Sequence, residues 1–266
     1  NNLPERQWES SIQAADLMLQ TAQRFGYTKW KVNSCFESCY RLDALIGEDR
    51  QAAWYVRDLL LSQAWRFPDI FIGILIDVGN NYASSFWGAS GLCRRMPYAY
   101  PKKSYAGIAV ATKLLDQVRR VRSIPTGDNC VYAVEYVRAD GSCVTAFWTS
   151  QGEAALELDL GWFTGAKFVD FYGREEEASE TLKAGAFARY VVSDRPAVKG
   201  VKCRARAYPE DAVPKDAVVV HKADAVSEWK LEAATNSILE HMQGPFMPYR
   251  TLGKYELRQV TDEEMG

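Results

Sequence analysis

Two carboxylates stand where short apolar runs break off. In KWKVNSCFES the run ends on Glu37, and in IFIGILID it ends on Asp77. A carboxylate at such a place is positioned for catalysis, because parallel α/β folds bind ligands beyond the carboxyl ends of their strands. Glu37 is the candidate catalytic group; its ordinary alternative is a loop carboxylate that caps the next segment or pairs with Arg41. The approach to Glu37 favours chemistry. Trp30, Val32, Ser34 and Phe36 alternate with Lys31, Asn33, Cys35 and Glu37, so one face is greasy and the other small and polar. A structural barrel strand would more often turn branched apolar side chains inward. Asp77 has a stronger structural alternative, as an acceptor of backbone hydrogen bonds in the loop that follows. That loop, DVGNNYASSFWGASGLCRRMPYAYP, carries Asn80, Tyr82, Trp87 and Arg94. Aromatic faces there could stack on sugar rings and polar forks could bind hydroxyls, or Trp and Phe could form the loop's own small core. Asn33, Asp77, Asn80, Tyr82, Trp87 and Arg94 make up the candidate binding set.

Other chemistries fit less well. The histidines are His221 and His241, both in the C-terminal segment, so a Ser/His/Asp or Cys/His apparatus on the first half has no base. Cys35 and Cys39 flank the acid without the second ligand pair of a structural zinc site, and read as small buried residues or a local disulfide. The glycines of GNNYASSFWGASG lack the Gly-Lys-Ser/Thr ending of a phosphate loop. Neither a metal nor a cofactor is expected. With 32 basic and 34 acidic residues the net charge is -2, and no Lys/Arg cluster marks a nucleic-acid partner. The longest apolar run, at 70–76, is far shorter than the roughly 20 residues of a membrane span.

The elements that would position these residues follow from periodicity. Apolar Trp8, Ile12, Ala15, Leu19 and Ala22 step by four and three after Pro4 and Glu5, which predicts a helix closed by Gly26. A strand over 28–37, a helix over 48–66 and an apolar strand over 70–76, covered on both faces, come next. A third helix is expected from Pro101 to about residue 120. Beyond it the period falls to two: a hairpin around Asp140 and Gly141, then strands at ALELDL, AKFVDFYG and FARYVVS. If residues 139 and 142 pair, Cys143 faces Arg138 and Cys130 faces Gln151, which excludes a disulfide within the hairpin. The expected organisation is an α/β unit over 1–120, an antiparallel β-sandwich over 121–203, and a linker with the start of a further β domain over 204–266. Two parallel strands cannot shield their own edges, so further strands must complete the α/β part. The chain opens without Met and closes on an acidic stretch with no evident stop, and is expected to be a piece of a longer protein.

The order KWKVNSCFES, GEDRQAAWYVRDLLL, IDVGNNYASSFWGASGLC, PYAYPKKSYAGIAVATKLLD resembles the last part of a glycoside hydrolase (β/α)8 barrel. The clan is the retaining one that includes cellulase-like and xylosidase-like enzymes. The VDFYGRE strand and the closing VVSDRPAVKG resemble the β domain often appended there, so the likeness covers roughly residues 1–203. It implies that 1–120 holds the last two βα units of the barrel, that Glu37 ends the seventh strand as nucleophile, and that the substrate is a carbohydrate. SCFES stands where the family has a Thr-Glu-Phe/Leu type of ending, and departs from it at Phe36 and the flanking cysteines. The family's acid/base carboxyl ends the fourth strand, in an N-terminal barrel portion that would be this chain's missing partner. The 266 residues alone are therefore expected to be inactive. An extracellular or periplasmic location is implied by the resemblance alone. Two other readings stay open: a non-catalytic carbohydrate-binding or surface-structural protein with a degenerate barrel, and a functional sandwich on a barrel scaffold.

Overall fold

Pro4 needs no amide partner at a helix start and Glu5 faces the positive end of the helix dipole, so α1 (Pro4–Arg24) begins where the sequence predicts. It ends in a Schellman turn: the Tyr27 N–H donates to Ala22 O at 2.9 Å and the Gly26 N–H to Gln23 O at 3.0 Å. Gly26 sits at φ +82°, the left-handed conformation that this turn requires. In the computed structural model the described residues are 4–29, 31, 34–35, 47–65, 67, 69–72, 74–77, 90–161, 165–207, 229–233 and 255–259.

After α1 the chain forms β1 (Ser34–Cys35), α2 (Gly47–Ala64), β2 (Ile70–Phe71) and α3 (Lys103–Leu114). Strands β1 and β2 are parallel, with Ser34 opposite Ile70 and Cys35 opposite Phe71. The segment at 70–76 differs from its expected burial. Phe71 is 52% and Leu75 57% exposed, because among the described residues no layer covers them from a second side. Helix α3 also stops six residues short of expectation. Gln117 takes φ +56°, its carbonyl accepts the Ala139 N–H at 3.0 Å, and the chain continues as an edge strand, β3 (Val118–Ser123). Pairing with a neighbouring strand outweighs the helical propensity of LLDQVRR, as tertiary context commonly does.

Most of the remaining described chain is antiparallel: β4 (Val131–Arg138), β5 (Cys143–Thr149), β6 (Glu153–Asp159), β7 (Lys167–Val169), β8 (Glu175–Glu177), β9 (Thr181–Ala184), β10 (Arg189–Ser193) and β11 (Gly200–Ala207). They form a six-stranded sheet in the order β3-β4-β5-β10-β7-β8 and a three-stranded sheet in the order β11-β6-β9. The last of these strands runs on into the stretch read as linker. Near the C-terminal end, β12 (Trp229–Ala233) pairs with β13 (Tyr255–Gln259).

The two faces of the six-stranded sheet have different partners. Val134, Tyr136, Val144, Ala146 and Tyr190 share a buried cluster with Tyr55, Leu60, Ile108 and Ala111 of α2 and α3. Ala133, Phe147, Phe168 and Val191 point the other way and bury Leu156, Leu158 and Leu182 of the smaller sheet. The period-two alternation thus sends each strand's side chains into two separate cores. Contacts on the helical side are close: a Cβ added at Gly107 of α3 would fall 2.1 Å from the Phe171 ring. The Tyr136 hydroxyl donates to Leu60 O at 2.7 Å.

A buried charge cluster ties three elements, α1, α2 and β5, together. Arg57 of α2 donates through Nε to Glu5 Oε1 at 2.7 Å and through a terminal nitrogen to Oε2 at 2.5 Å, while Trp148 of β5 donates through Nε1 to the same Oε1 at 2.9 Å. Arg57 is 1% and Glu5 8% exposed. The two-pronged geometry satisfies both charges where water cannot.

The hairpin between β4 and β5 turns through three residues. Val137 lies opposite Cys143, and the Arg138 N–H donates to Ser142 O at 2.8 Å. Gly141 at φ +87° supplies the left-handed bulge that shifts the register by one from the expected pairing. Cys143 therefore faces Val137, and Cys130 meets Ser150, whose N–H donates to Cys130 O at 2.8 Å. Both cysteines are free thiols. Burial, reinforced by the charge of Glu135, pushes the Cys143 thiol up to about 11.

Glu5→Ala should leave the Arg57 charge unpaired and lower the unfolding free energy by about 3–5 kcal/mol in urea titrations. The double change Glu5→Ala/Arg57→Leu should recover most of that loss, leaving mainly the unpaired Trp148 N–H. For Cys143, the folded thiol holds its proton between pH 9.0 and about 11 while the unfolded one gives it up. Its stabilising contribution is complete below pH 9.0 and declines as the pH rises through about 11. Denaturation midpoints measured from pH 8 to 11 should fall less steeply in Cys143→Ala than in the unsubstituted protein.

Candidate functional site

The parallel pairing of β1 with β2 directs the carboxyl ends of both strands to one side. Glu37 follows the last described residue of β1, Cys35, by two positions. Glu37, Asn33, Asn80, Tyr82 and Trp87 lie outside the described residues; Asp77 and Arg94 lie within them.

Asp77 occupies a buried junction. Residues 90–93 return beside 75–77: the Asp77 N–H donates to Cys93 O at 3.0 Å, the Cys93 N–H to Leu75 O at 2.8 Å, and Cys93 bridges both Ile76 and Pro101. Oδ1 of Asp77 accepts the Gly91 N–H at 2.8 Å and Lys102 Nζ at 2.7 Å. Lys102 Nζ also donates to Gly91 O at 2.8 Å. Both side chains are fully inaccessible to solvent. Burial pulls the Lys102 ammonium below the usual lysine value, opposed by the hydrogen bond and charge of Asp77. The same burial raises the Cys93 thiol. Gly91 is required by close approach, since a Cβ there would lie 2.5 Å from the Asp77 nitrogen. Oδ2 of Asp77 is buried with no hydrogen-bond partner among the described residues. In this arrangement Asp77 fastens the root of the connection from residue 77 to residue 91.

Arg94 lies on the surface beside the helix starts. A terminal nitrogen donates to Glu48 Oε2 at 2.7 Å, and Glu48 Oε1 accepts the Lys103 N–H at 3.0 Å, so an acid in the first turn of α2 caps α3. Lys103 Nζ reaches Asp49 Oδ1 at 2.5 Å, and that pairing raises its proton affinity.

Two features escaped the sequence reading. Lys102 offers no linear signal, because its partner lies 25 positions away. Tyr98 and Tyr100 form an exposed stacked pair, ring centres 5.8 Å apart and 9° from parallel, on the connection leading into α3. Their signal was present as PYAYP, two aromatics at alternate positions between prolines.

No protein-family model matches the chain, and no curated protein matches it. Among solved structures, one described as a family 39 glycoside hydrolase from the gut symbiont Bacteroides cellulosilyticus WH2 is similar, with a TM-score of 0.47 and 19% identity over 55% of this chain. The match spans 30% of that chain's length. Among the described residues no helix is long and apolar enough to cross a membrane.

Replacing Lys102 by Met should strand the Asp77 charge in a dry site and destabilise the protein by about 3–5 kcal/mol, read from denaturant unfolding. Lys102→Met/Asp77→Asn, which removes both charges, should restore a large part of the loss.

Proposed function

We propose that the chain is part of a carbohydrate-active protein that cleaves glycosidic bonds by a retaining two-carboxylate mechanism. The observation that carries this reading is the parallel β1–β2 pair joined through α2, with the sequence placing Glu37 just past the end of β1. Ligands of such folds gather on that side of the sheet. The exposure of Phe71 and Leu75 fits a barrel in which further strands cover this pair.

In the proposed reaction a Glu37 carboxylate oxygen attacks the anomeric carbon. The bond to the leaving oxygen breaks, and that oxygen takes a proton from a second carboxyl group. Water, deprotonated by the same second group, then displaces Glu37 and releases the sugar with retained configuration. The two carboxyls of such a pair stand about 5–5.5 Å apart. Asp77 is not the second one, since its carboxylate is buried against Lys102. Asn33, Asn80, Tyr82, Trp87 and Arg94 would hold the sugar by hydrogen bonds and stacking.

The alternative is a non-catalytic carbohydrate-binding barrel, whose complete protein would keep Glu37 without an acid ending the fourth strand. One experiment separates the two. In the complete protein, Glu37→Gln should reduce kcat/KM on aryl glycosides by at least about 10³-fold with thermal melting unchanged, as loss of a nucleophile does. Turnover preserved in the variant would remove Glu37 from the mechanism; absence of turnover in the unsubstituted complete protein, with sugar binding retained, would establish the binding role.

A further inference from the structure

A cleft of about 630 Å3 opens where Arg50, in the first turn of α2, meets the turn after β7 and the β9–β10 connection. Asp170, Tyr172, Lys183, Phe187 and Arg189 also line it. Among the described candidates, Asp77 and Arg94 do not line it, although Arg50 belongs to the same helix start as Glu48 and Asp49.

The local sequence explains why an aromatic wall stands there. Asp170 Oδ1 accepts the N–H groups of Tyr172 at 2.8 Å and of Arg174 at 2.9 Å, and Gly173 at φ +83° completes the turn. Phe171 goes inward against Gly107, whereas Tyr172 stays 41% exposed. The Tyr172 and Phe187 rings are 6.5 Å apart and inclined at 49°, both packed on Phe171. Both rings line the cleft, and the Arg174 guanidinium lies over the Tyr172 ring, 5.9 Å from its centre, so the stacking surface is what the Arg174 contact leaves open together with the Phe187 face.

The polar lining is largely neutralised. Lys183 pairs with Glu153 at 2.6 Å, Arg189 pairs with Glu176, and Asp170 lies 3.6 Å from Arg174. An ionic ligand would have to compete with these existing pairs. A neutral polyhydroxylated ligand needs no such exchange: its apolar ring faces suit the aromatic wall and its hydroxyls suit donors and acceptors that keep their partners. The volume falls within the usual range for small-ligand sites, about 300–1,000 Å3.

We infer that this cleft is a second binding site for a neutral oligosaccharide, with Tyr172 as its stacking platform. The inference rests on the carbohydrate reading above and adds a site to it. Calorimetric titration of the full chain carrying Glu37→Gln, with cellohexaose, xylohexaose and mannohexaose as probes, tests it. At least one hexasaccharide should bind, Tyr172→Ala should weaken it by about tenfold, and Tyr172→Phe should stay within about twofold. Should Tyr172→Ala lower the melting temperature, Phe187→Leu, which keeps apolar bulk but removes a ring face, should show the loss instead. Equal affinity in the folded ring-removal variant would overturn the cleft and leave the carbohydrate reading standing. No binding of any hexasaccharide by the chain with its rings intact would also overturn the cleft, while the carbohydrate reading is decided separately by turnover in the complete protein.

Discussion

Arg57 carries a full charge into the middle of the molecule, and the layering depends on how that charge is met. Glu5 answers it from fifty-two residues upstream, and the Trp148 indole uses the remaining capacity of the same carboxylate oxygen. Apolar contacts between α2 and the six-stranded sheet would tolerate some sliding. A guanidinium gripped on two nitrogens and an indole aimed at one oxygen do not, so the cluster fixes the rotation of α2 against the sheet. The Tyr136–Leu60 bond reinforces the same alignment one turn further along.

Much of the architecture could be read from spacing alone. The α1 boundaries, the core of α2, the β4–β5 hairpin and the strands at β6, β7 and β10 all follow from residue periodicity and turn chemistry. The misses have physical causes. LLDQVRRVRS has no internal break, and the turn at Gln117 is decided by where β4 lies. The hairpin slipped by one because Asp140–Gly141 serves both two-residue and three-residue turns, and only the cross-strand contacts select between them. IFIGILI has the composition of a doubly covered strand, but composition cannot supply the cover.

The candidate site was legible to a different degree. That acids at strand ends matter was visible, yet Glu37 and Asp77 look alike in one dimension. What distinguishes Asp77 is a lysine brought next to it from 25 positions away, together with a glycine too close to bear a side chain. Both are properties of the closed connection and not of either segment. The cleft at Tyr172 is similarly non-local, since helix, turn and strand each contribute one side.

The clasp formed by Asp77, Gly91 and Lys102 also bears on how this protein can change over time. Because its two feet are held by buried bonds, the thirteen residues between Asp77 and Gly91 inherit a fixed gap to bridge. Lengthening a connection between pinned ends is cheap, about 0.6 kcal/mol for each doubling. The clasp thus holds the two ends of this stretch independently of the sequence that joins them.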